Sequence, residues 1–124
     1  KANEPVVLWG SGTPMREFLH VNDLAKAVLF SIENQLSESM YNVGTGVDQS
    51  VKDLALLIQN IIGHTGDIIW DSQKPDGTPK KLMDISRFKS LGWSPKIDLE
   101  TGIKDTCAWF IQNRKTIKEV SIPE

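Results

Sequence analysis

The stretch REFLHVNDLAKAVLFSI, residues 16–32, decides the fold, because a predicted strand changes into a predicted helix within a few residues. Residues 16–21 are predicted to form a β-strand. Asn22 is a favourable helix N-cap, and Asp23 suits the positive end of a helix dipole. These signals predict a helix from Leu24 to about Asn34.

This predicted helix is apolar over much of its circumference. It contains the run AVLF at residues 27–30, and Ile32 follows two positions later. A surface helix normally carries a one-sided apolar stripe, so this pattern indicates burial on two sides. Because 124 residues provide little material to cover both sides, we expect a neighbouring domain or subunit to pack here.

The remaining predicted elements are short strands and helices bounded by turn or capping residues. Three further strands are predicted, at residues 5–9, 40–43 and 67–70, and three further helices at residues 51–62, 86–91 and 99–111. Ser50 and Asp53 form a capping pattern, and Asp98 caps the last helix. The elements predict a mixed α/β fold in one domain, residues 1–113, with a loose tail at 114–124.

Composition excludes several classes of protein. Apolar residues make up 40% of the chain and charged residues 24%, as in a soluble globular protein. The formal charge of −2 argues against nucleic-acid binding, and no apolar run is long enough to span a membrane. The first residues lack a signal peptide and an initiator Met, which suggests an excised piece. The single cysteine, Cys107, is consistent with a reducing cytoplasm.

Two glycine pairs, GSG at 10–12 and GTG at 44–46, invite a dinucleotide-binding interpretation. Met15 and Gln49 stand where the third glycine of G-x-G-x-x-G would be, so both pairs are expected to be turns. Tyr41, the only tyrosine, is not followed by a lysine four residues later, so Tyr-x-x-x-Lys is absent. We therefore expect no catalytic residues and no cofactor-binding residues here.

The chain also lacks a recognisable metal-binding pattern. His20 and His64 are far apart in sequence, and Cys107 falls on the core face of a predicted helix, which it shares with Leu99, Ile103, Phe110 and Ile111. His20 lies on the predicted second strand and is expected to be a core histidine. No metal site is predicted.

A few residues are suited to an anionic ligand that carries a ring. Trp9 could stack on a base or a sugar, Arg16 could bind a phosphate, and Lys80 and Lys81 could bind a second phosphate. Asp76 could accept hydrogen bonds from hydroxyl groups. Each residue also has a structural explanation, which stays open. Trp9 could be core, Arg16 could pair with Glu17 or Asp23, the lysines could be solvated, and Asp76 could belong only to a turn.

Longer strings are more specific than these single residues. WGSGTPMREF at 9–18, YNVGTGVDQSVKDLA at 41–55 and KPDGTPKK at 74–81 resemble consecutive blocks of the GDP-L-fucose synthases. These enzymes belong to the extended short-chain dehydrogenase/reductase family, also described as NAD-dependent epimerases/dehydratases. The resemblance extends from about Val6 to Asn113.

The resemblance implies a carboxy-terminal, GDP-sugar-binding part of such an enzyme. The family converts GDP-4-keto-6-deoxy-D-mannose to GDP-L-fucose by 3,5-epimerisation and NADPH-dependent reduction. The Rossmann domain that binds NADP and carries the catalytic residues lies upstream, and it is absent from this chain. The resemblance thus implies an inactive fragment of a cytoplasmic, homodimeric enzyme.

Four positions match family residues that contact substrate: Trp9, Arg16, Asp76 and Lys81. Lys80 ranks lower, because the family accepts either basic residue there. The resemblance also implies that the helix after residue 21 and the strand at 40–43 pack against the cofactor domain. We therefore expect self-association, or a rearranged strand, in this chain.

Two alternatives remain. The chain could be the substrate domain of another nucleotide-sugar epimerase or dehydratase. Those proteins share R-[DE]-[FY]-[IVL]-H-V but are not expected to have the KPDGTP block. It could also be a non-catalytic module that binds GDP-sugars.

Overall fold

Two small sheets and four helices make up the described residues, 3–116, of the computed structural model. The strands are β1 (Val6–Trp9), β2 (Met15–Glu17), β3 (Asp48–Ser50), β4 (Ile68–Asp71) and β5 (Lys80–Lys81). The helices are α1 (Val21–Glu33), α2 (Val51–Ile62), α3 (Ser86–Ser90) and α4 (Leu99–Asn113). This architecture confirms the prediction of a mixed α/β fold.

The sheets bring together segments that are distant in sequence. In the first sheet β1 and β4 are parallel, with Trp9 paired to Asp71. In the second sheet β2 lies between antiparallel β3 and parallel β5, and Arg16 pairs with Lys81. The KPDGTP loop connects β4 to β5, whereas the GSGTP turn connects β1 to β2. The two connections therefore begin side by side, at the ends of the paired strands β1 and β4. They also end side by side, at the paired strands β2 and β5.

A small aromatic cluster forms the core. Phe88 of α3 is 1% exposed, and its ring lies edge-on to Phe30 of α1 at a centroid distance of 5.5 Å. The rings of Trp93 and Tyr41 lie 5.2 and 5.8 Å from that of Phe88. Ala27 is buried against this cluster. The core thus fixes α1 to the segment that follows β5.

Two carboxylates tie loops to this framework. Asp23, 1% exposed, accepts hydrogen bonds from the backbone N–H groups of Lys96 and Ile97, at 2.9 and 2.8 Å. Glu17 accepts hydrogen bonds from the backbone N–H groups of residues 45, 46 and 83. These hydrogen bonds hold residues 45, 46 and 83 against β2, and residues 96 and 97 against α1.

The second strand is shorter than predicted. It ends at Glu17, and α1 already begins at Val21. His20 is the helix N-cap, and its Nδ1 accepts a hydrogen bond from the backbone N–H of Asn22 at 3.3 Å. The assignments of Asn22 as the N-cap and of His20 as a strand residue were therefore wrong. A histidine nitrogen can replace the usual hydroxyl or carboxylate of a cap.

The predicted strand at residues 40–43 is also absent. Tyr41 and Val43 pack on the aromatic core, and the Asn42 side chain donates to the backbone oxygen of Asp84 at 3.0 Å. A strand needs a neighbouring strand, and residues 40–43 have none in the described part of the chain. In contrast, no strong sequence signal predicts β3 and β5. These strands form because β2 lies between them and pairs with both.

The capping predictions for Ser50 and Asp98, unlike that for Asn22, are confirmed. Ser50 caps α2 by accepting from the Asp53 N–H at 2.9 Å, and Gly63 ends that helix with a φ of 66°. Asp98 caps α4 through the Thr101 N–H at 3.0 Å. Of the predicted tail, residues 114–116 continue from α4 as a turn, and residues 117–124 lie outside the described part.

Much of the apolar surface of the helices has no cover. Ala27 of α1 is buried, but Val28, Leu29 and Ile32 are 54%, 57% and 75% exposed. On α4, the apolar face predicted from the sequence is only partly covered: Leu99, Ile103 and Cys107 are half-buried, whereas Phe110 and Ile111 are exposed. Only one side of α1 therefore packs against the rest of the described chain.

Candidate ligand-binding site

The GSGTP turn and the KPDGTP loop are held together by Ser11 and Asp76. The backbone N–H and the hydroxyl of Ser11 donate to the two carboxylate oxygens of Asp76, at 2.8 and 2.6 Å. These hydrogen bonds, led by that from the hydroxyl, lower the pKa of Asp76 below its usual value. Gly10 has a φ of 81°, and a Cβ there would collide with the carboxylate of Asp76. The turn therefore requires glycine at this position, both for its backbone and for the approach of the loop.

Arg16 lies at the centre of this region. Its Nη1 donates to the backbone oxygens of Met15 and Thr78, both at 2.7 Å. It does not pair with Glu17 or Asp23, whose carboxylates accept hydrogen bonds from backbone N–H groups instead. Because one nitrogen is held by two carbonyls, the guanidinium is fixed in place while its other N–H groups remain to bind a ligand.

Trp9 is not a core residue. Its side chain is at the end of β1, and the residue is 74% exposed. The ammonium of Lys74 lies 5.4 Å from the centre of its ring, within the range of a cation–π interaction. An exposed indole next to a glycine turn provides a flat surface for a base or a sugar ring.

Trp9, Arg16 and Asp76 line one small cavity of about 110 Å³. Its other lining residues come from the same turn and loop and from the start of α2: Gly12, Pro14, Val51, Pro75 and Gly77. The structure thus brings three of the four predicted site residues together. The described residues also line four larger cavities, of about 300 to 520 Å³. One of them, of about 390 Å³, is lined by Arg16 too, but not by Trp9 or Asp76. We favour the smaller one because only there do an exposed indole and a fixed guanidinium face the same space.

The fourth predicted residue, Lys81, approaches from β5. Its backbone pairs with that of Arg16, and neighbouring residues across a sheet project from the same face. Lys81 does not itself line the cavity. Lys80 projects from the other face and contacts Asp48, with Nζ 3.2 Å from Oδ2. The ammonium of Lys80 is therefore occupied by an ion pair on that other face.

The two glycine pairs lie close to side chains of this chain. A Cβ at Gly12 would collide with the ring of Trp70, and one at Gly44 with the carboxylate of Glu17. These glycines thus make room for side chains of this chain.

Neither a metal site nor a membrane helix is found among residues 3–116. No group of three or more His, Cys, Asp or Glu residues there is arranged to hold a metal ion. None of the helices in the same residues combines the length and apolar character needed to cross a bilayer.

Sequence reasoning missed Ser11 and Lys74 as parts of this region. Ser11 was part of a turn and Lys74 part of a loop. Only the pairing of β1 with β4 and of β2 with β5 brings these connections together. Both residues lie within the strings WGSGTPMREF and KPDGTPKK, and these strings were the signal in the sequence that could have indicated them.

Comparison with known proteins gives consistent results. The NAD dependent epimerase/dehydratase family matches residues 1–44. A protein named putative GDP-L-fucose synthase 2, from Arabidopsis thaliana, is 50% identical over 115 residues. GDP-L-fucose synthase from Escherichia coli K12 is 47% identical over 118 residues. These matches cover 91% and 88% of this chain, which spans only 35% and 37% of the relatives' lengths.

Solved structures give the same picture for the fold. A GDP-L-fucose synthetase from Naegleria fowleri, bound to NADP, superimposes with a TM-score of 0.87 at 30% identity. A UDP-glucose 4-epimerase from Thermotoga maritima, with UDP-glucose, gives a TM-score of 0.78 at 32% identity. Each match covers 93% of this chain, and 37% and 36% of those chains, respectively.

Proposed function

Because this chain belongs to the NAD-dependent epimerase/dehydratase family, we propose that it is the carboxy-terminal, substrate-binding part of a GDP-L-fucose synthase. The complete enzyme would convert GDP-4-keto-6-deoxy-D-mannose to GDP-L-fucose with NADPH. The observation that carries the proposal is the cavity in which Trp9, Arg16 and Asp76 meet, next to the strand that holds Lys81.

Each residue has a role that follows from its chemistry. Arg16 and Lys81 neutralise the diphosphate, and the exposed ring of Trp9 packs on the ligand. Asp76 uses two hydrogen bonds to hold Ser11, and its remaining lone pairs accept from a hydroxyl or an amide of the ligand. Binding of this kind contributes to catalysis by positioning the sugar.

NADP and the reacting groups belong to another part of the enzyme in this proposal. The glycines of the two pairs, residues 10, 12, 44 and 46, lie against side chains of this chain, so no step of the hydride transfer is assigned here. The isolated chain is therefore inactive. Its exposed α1 face, which includes Val28 and Ile32, packs against the cofactor-binding domain in the complete enzyme. That enzyme is a cytoplasmic homodimer.

A second candidate is the substrate domain of a different nucleotide-sugar epimerase or dehydratase. The similarity to a UDP-glucose 4-epimerase, at a TM-score of 0.78, favours keeping it. A third is a module that binds GDP-sugars without chemistry. An upstream reading frame that contains both G-x-G-x-x-G and Tyr-x-x-x-Lys would exclude this third candidate.

A hybrid enzyme tests the proposal. The segment of the Escherichia coli enzyme that matches this chain is replaced by the chain, and NADPH oxidation with GDP-4-keto-6-deoxy-D-mannose is measured. We expect activity, and we expect Arg16→Ala to raise KM strongly while Lys89→Ala, at an exposed position of α3, leaves it unchanged. A hybrid that folds and binds NADPH but turns over only a UDP-linked substrate would support the second candidate. One that folds and turns over neither substrate would contradict the proposal.

A further inference from the structure

We propose that Lys74 is a further ligand-binding residue of this site, which contacts the diphosphate of the nucleotide. The inference rests on the proposed function and extends it to a residue that the resemblance did not mark. In the structure the Lys74 ammonium lies over the Trp9 ring, with Nζ 5.4 Å from the ring centre. The attraction to the indole keeps the charge beside the cavity while no ligand is bound.

The backbone of Lys74 is fixed on both sides. Its N–H donates to the backbone oxygen of Asp71 at 3.1 Å, and the N–H of Gln73 donates to the Asp71 side chain at 3.0 Å. Pro75, with its restricted φ, follows directly, and Asp76 is bound to Ser11. Lys74 therefore starts from a constant position at the rim of the cavity, and only its flexible side chain has to move.

Charge balance favours a third cation. A nucleoside diphosphate sugar carries two negative charges on its diphosphate. Arg16 and Lys81 supply two positive charges, but the ionised Asp76 lines the same cavity and cancels one of them. With Lys74 the site reaches a net charge of +2, which matches the ligand.

The ammonium of Lys74, unlike that of Lys80, is available to bind a phosphate. Lys80 is already paired with Asp48 at 3.2 Å. Lys74 has no ion-pair partner among residues 3–116, so binding a phosphate breaks no existing salt bridge. A lysine is a compact charge on a long stem, and it can move from the indole to a nearby phosphate without backbone change.

The test uses the 124-residue chain and three probes: GDP, inorganic pyrophosphate and guanosine. Binding is followed by NMR from the indole N–H signal of Trp9, which detects millimolar dissociation constants. Lys74→Gln removes the charge, Lys74→Arg retains it, and Lys89→Gln, at an exposed lysine of α3, is the matched control. We expect Lys74→Gln to weaken GDP and pyrophosphate by about fivefold, the size of one partly exposed ionic contact, and to leave guanosine unchanged. Lys74→Arg should stay within about twofold of the wild type, since it keeps both the charge and the attraction to the ring.

Three results contradict the inference in different ways. Equal GDP binding by the wild type and Lys74→Gln would show that the ammonium does not contact the phosphates. An equal loss of affinity for guanosine would show that Lys74 affects binding only through the position of the Trp9 ring. If the wild-type chain shows no Trp9 shift at high millimolar GDP, the site itself fails, and with it the binding role in the proposed function.

Discussion

Replacement of Asp23 by alanine should destabilise the fold far more than the loss of a helix-dipole contact would. Asp23 lies in the first turn of α1, and the interaction of its carboxylate with the helix dipole contributes only about 0.3–1 kcal/mol to the stability of the fold. In the structure it is buried and accepts two hydrogen bonds from the backbone N–H groups of Lys96 and Ile97. A hydrogen bond to a charged group contributes about 1.5–3 kcal/mol. Because Lys96 is exposed and water can replace part of the loss, we expect the lower limit for the pair, about 3 kcal/mol.

The free energy of unfolding of Asp23→Ala is measured by urea denaturation and compared with that of Asp53→Ala. Asp53 is the matched control because it is also a first-turn acid, of α2, but it is exposed and its carboxylate bonds only to Ser50. The control should lose about 1 kcal/mol or less. Asp23→Asn retains one acceptor oxygen, so it should be intermediate and remains measurable if the alanine variant does not fold. Equal losses for Asp23→Ala and Asp53→Ala would refute the role given to Asp23.

Three other predictions concern the uncovered surface, the core and the hydrogen bonds of the turn. In analytical ultracentrifugation the chain should self-associate through the exposed face of α1, and Val28→Glu with Leu29→Lys should reduce this; a monomer at high concentration would count against it. Phe88→Ala should lower the free energy of unfolding by about 3–5 kcal/mol in chemical denaturation, and a loss below about 1 kcal/mol would show that the aromatic core does not form as described. Ser11→Ala should raise the pKa of Asp76 towards its ordinary value in an NMR titration, because it removes the stronger of two hydrogen bonds to the ionised form. Because the pKa of Asp76 is lower in the folded state, ionised Asp76 stabilises the fold fully at pH values above its unfolded-state pKa, and this stabilisation is lost as the pH falls through the folded-state pKa. An unchanged pKa of Asp76 in Ser11→Ala would contradict the contact.

Local signals in the sequence were sufficient where a structure depends on local contacts. The caps at Ser50 and Asp98 follow from the residue type and its neighbours, and both were predicted correctly. The second strand was predicted too long because His20, an unusual cap, was assigned to a strand. Residues 40–43 have the composition of a strand but no strand beside them in the described chain, so composition alone gave the wrong answer.

The site was predictable to a similar extent. Trp9, Arg16 and Asp76 were identified from chemistry and resemblance, and the structure brings them to one cavity. The contacts of Ser11 and Lys74 depend on how two loops meet across the sheets, 65 residues apart for Ser11 and Asp76. No sequence periodicity carries that information. Their roles therefore needed the structure.

In the proposed function, an indole and a small group of cations around the GSGTP turn and the KPDGTP loop bind the diphosphate-linked nucleotide. A titration of the isotopically labelled chain with GDP tests this directly, because it maps the chemical-shift changes of the backbone and indole signals. We expect the largest changes on Trp9, Arg16, Gly77 and Lys81. Changes concentrated instead around the larger cavity lined by His20, Asp105 and Trp109, with Trp9 and Arg16 unaffected, would contradict it.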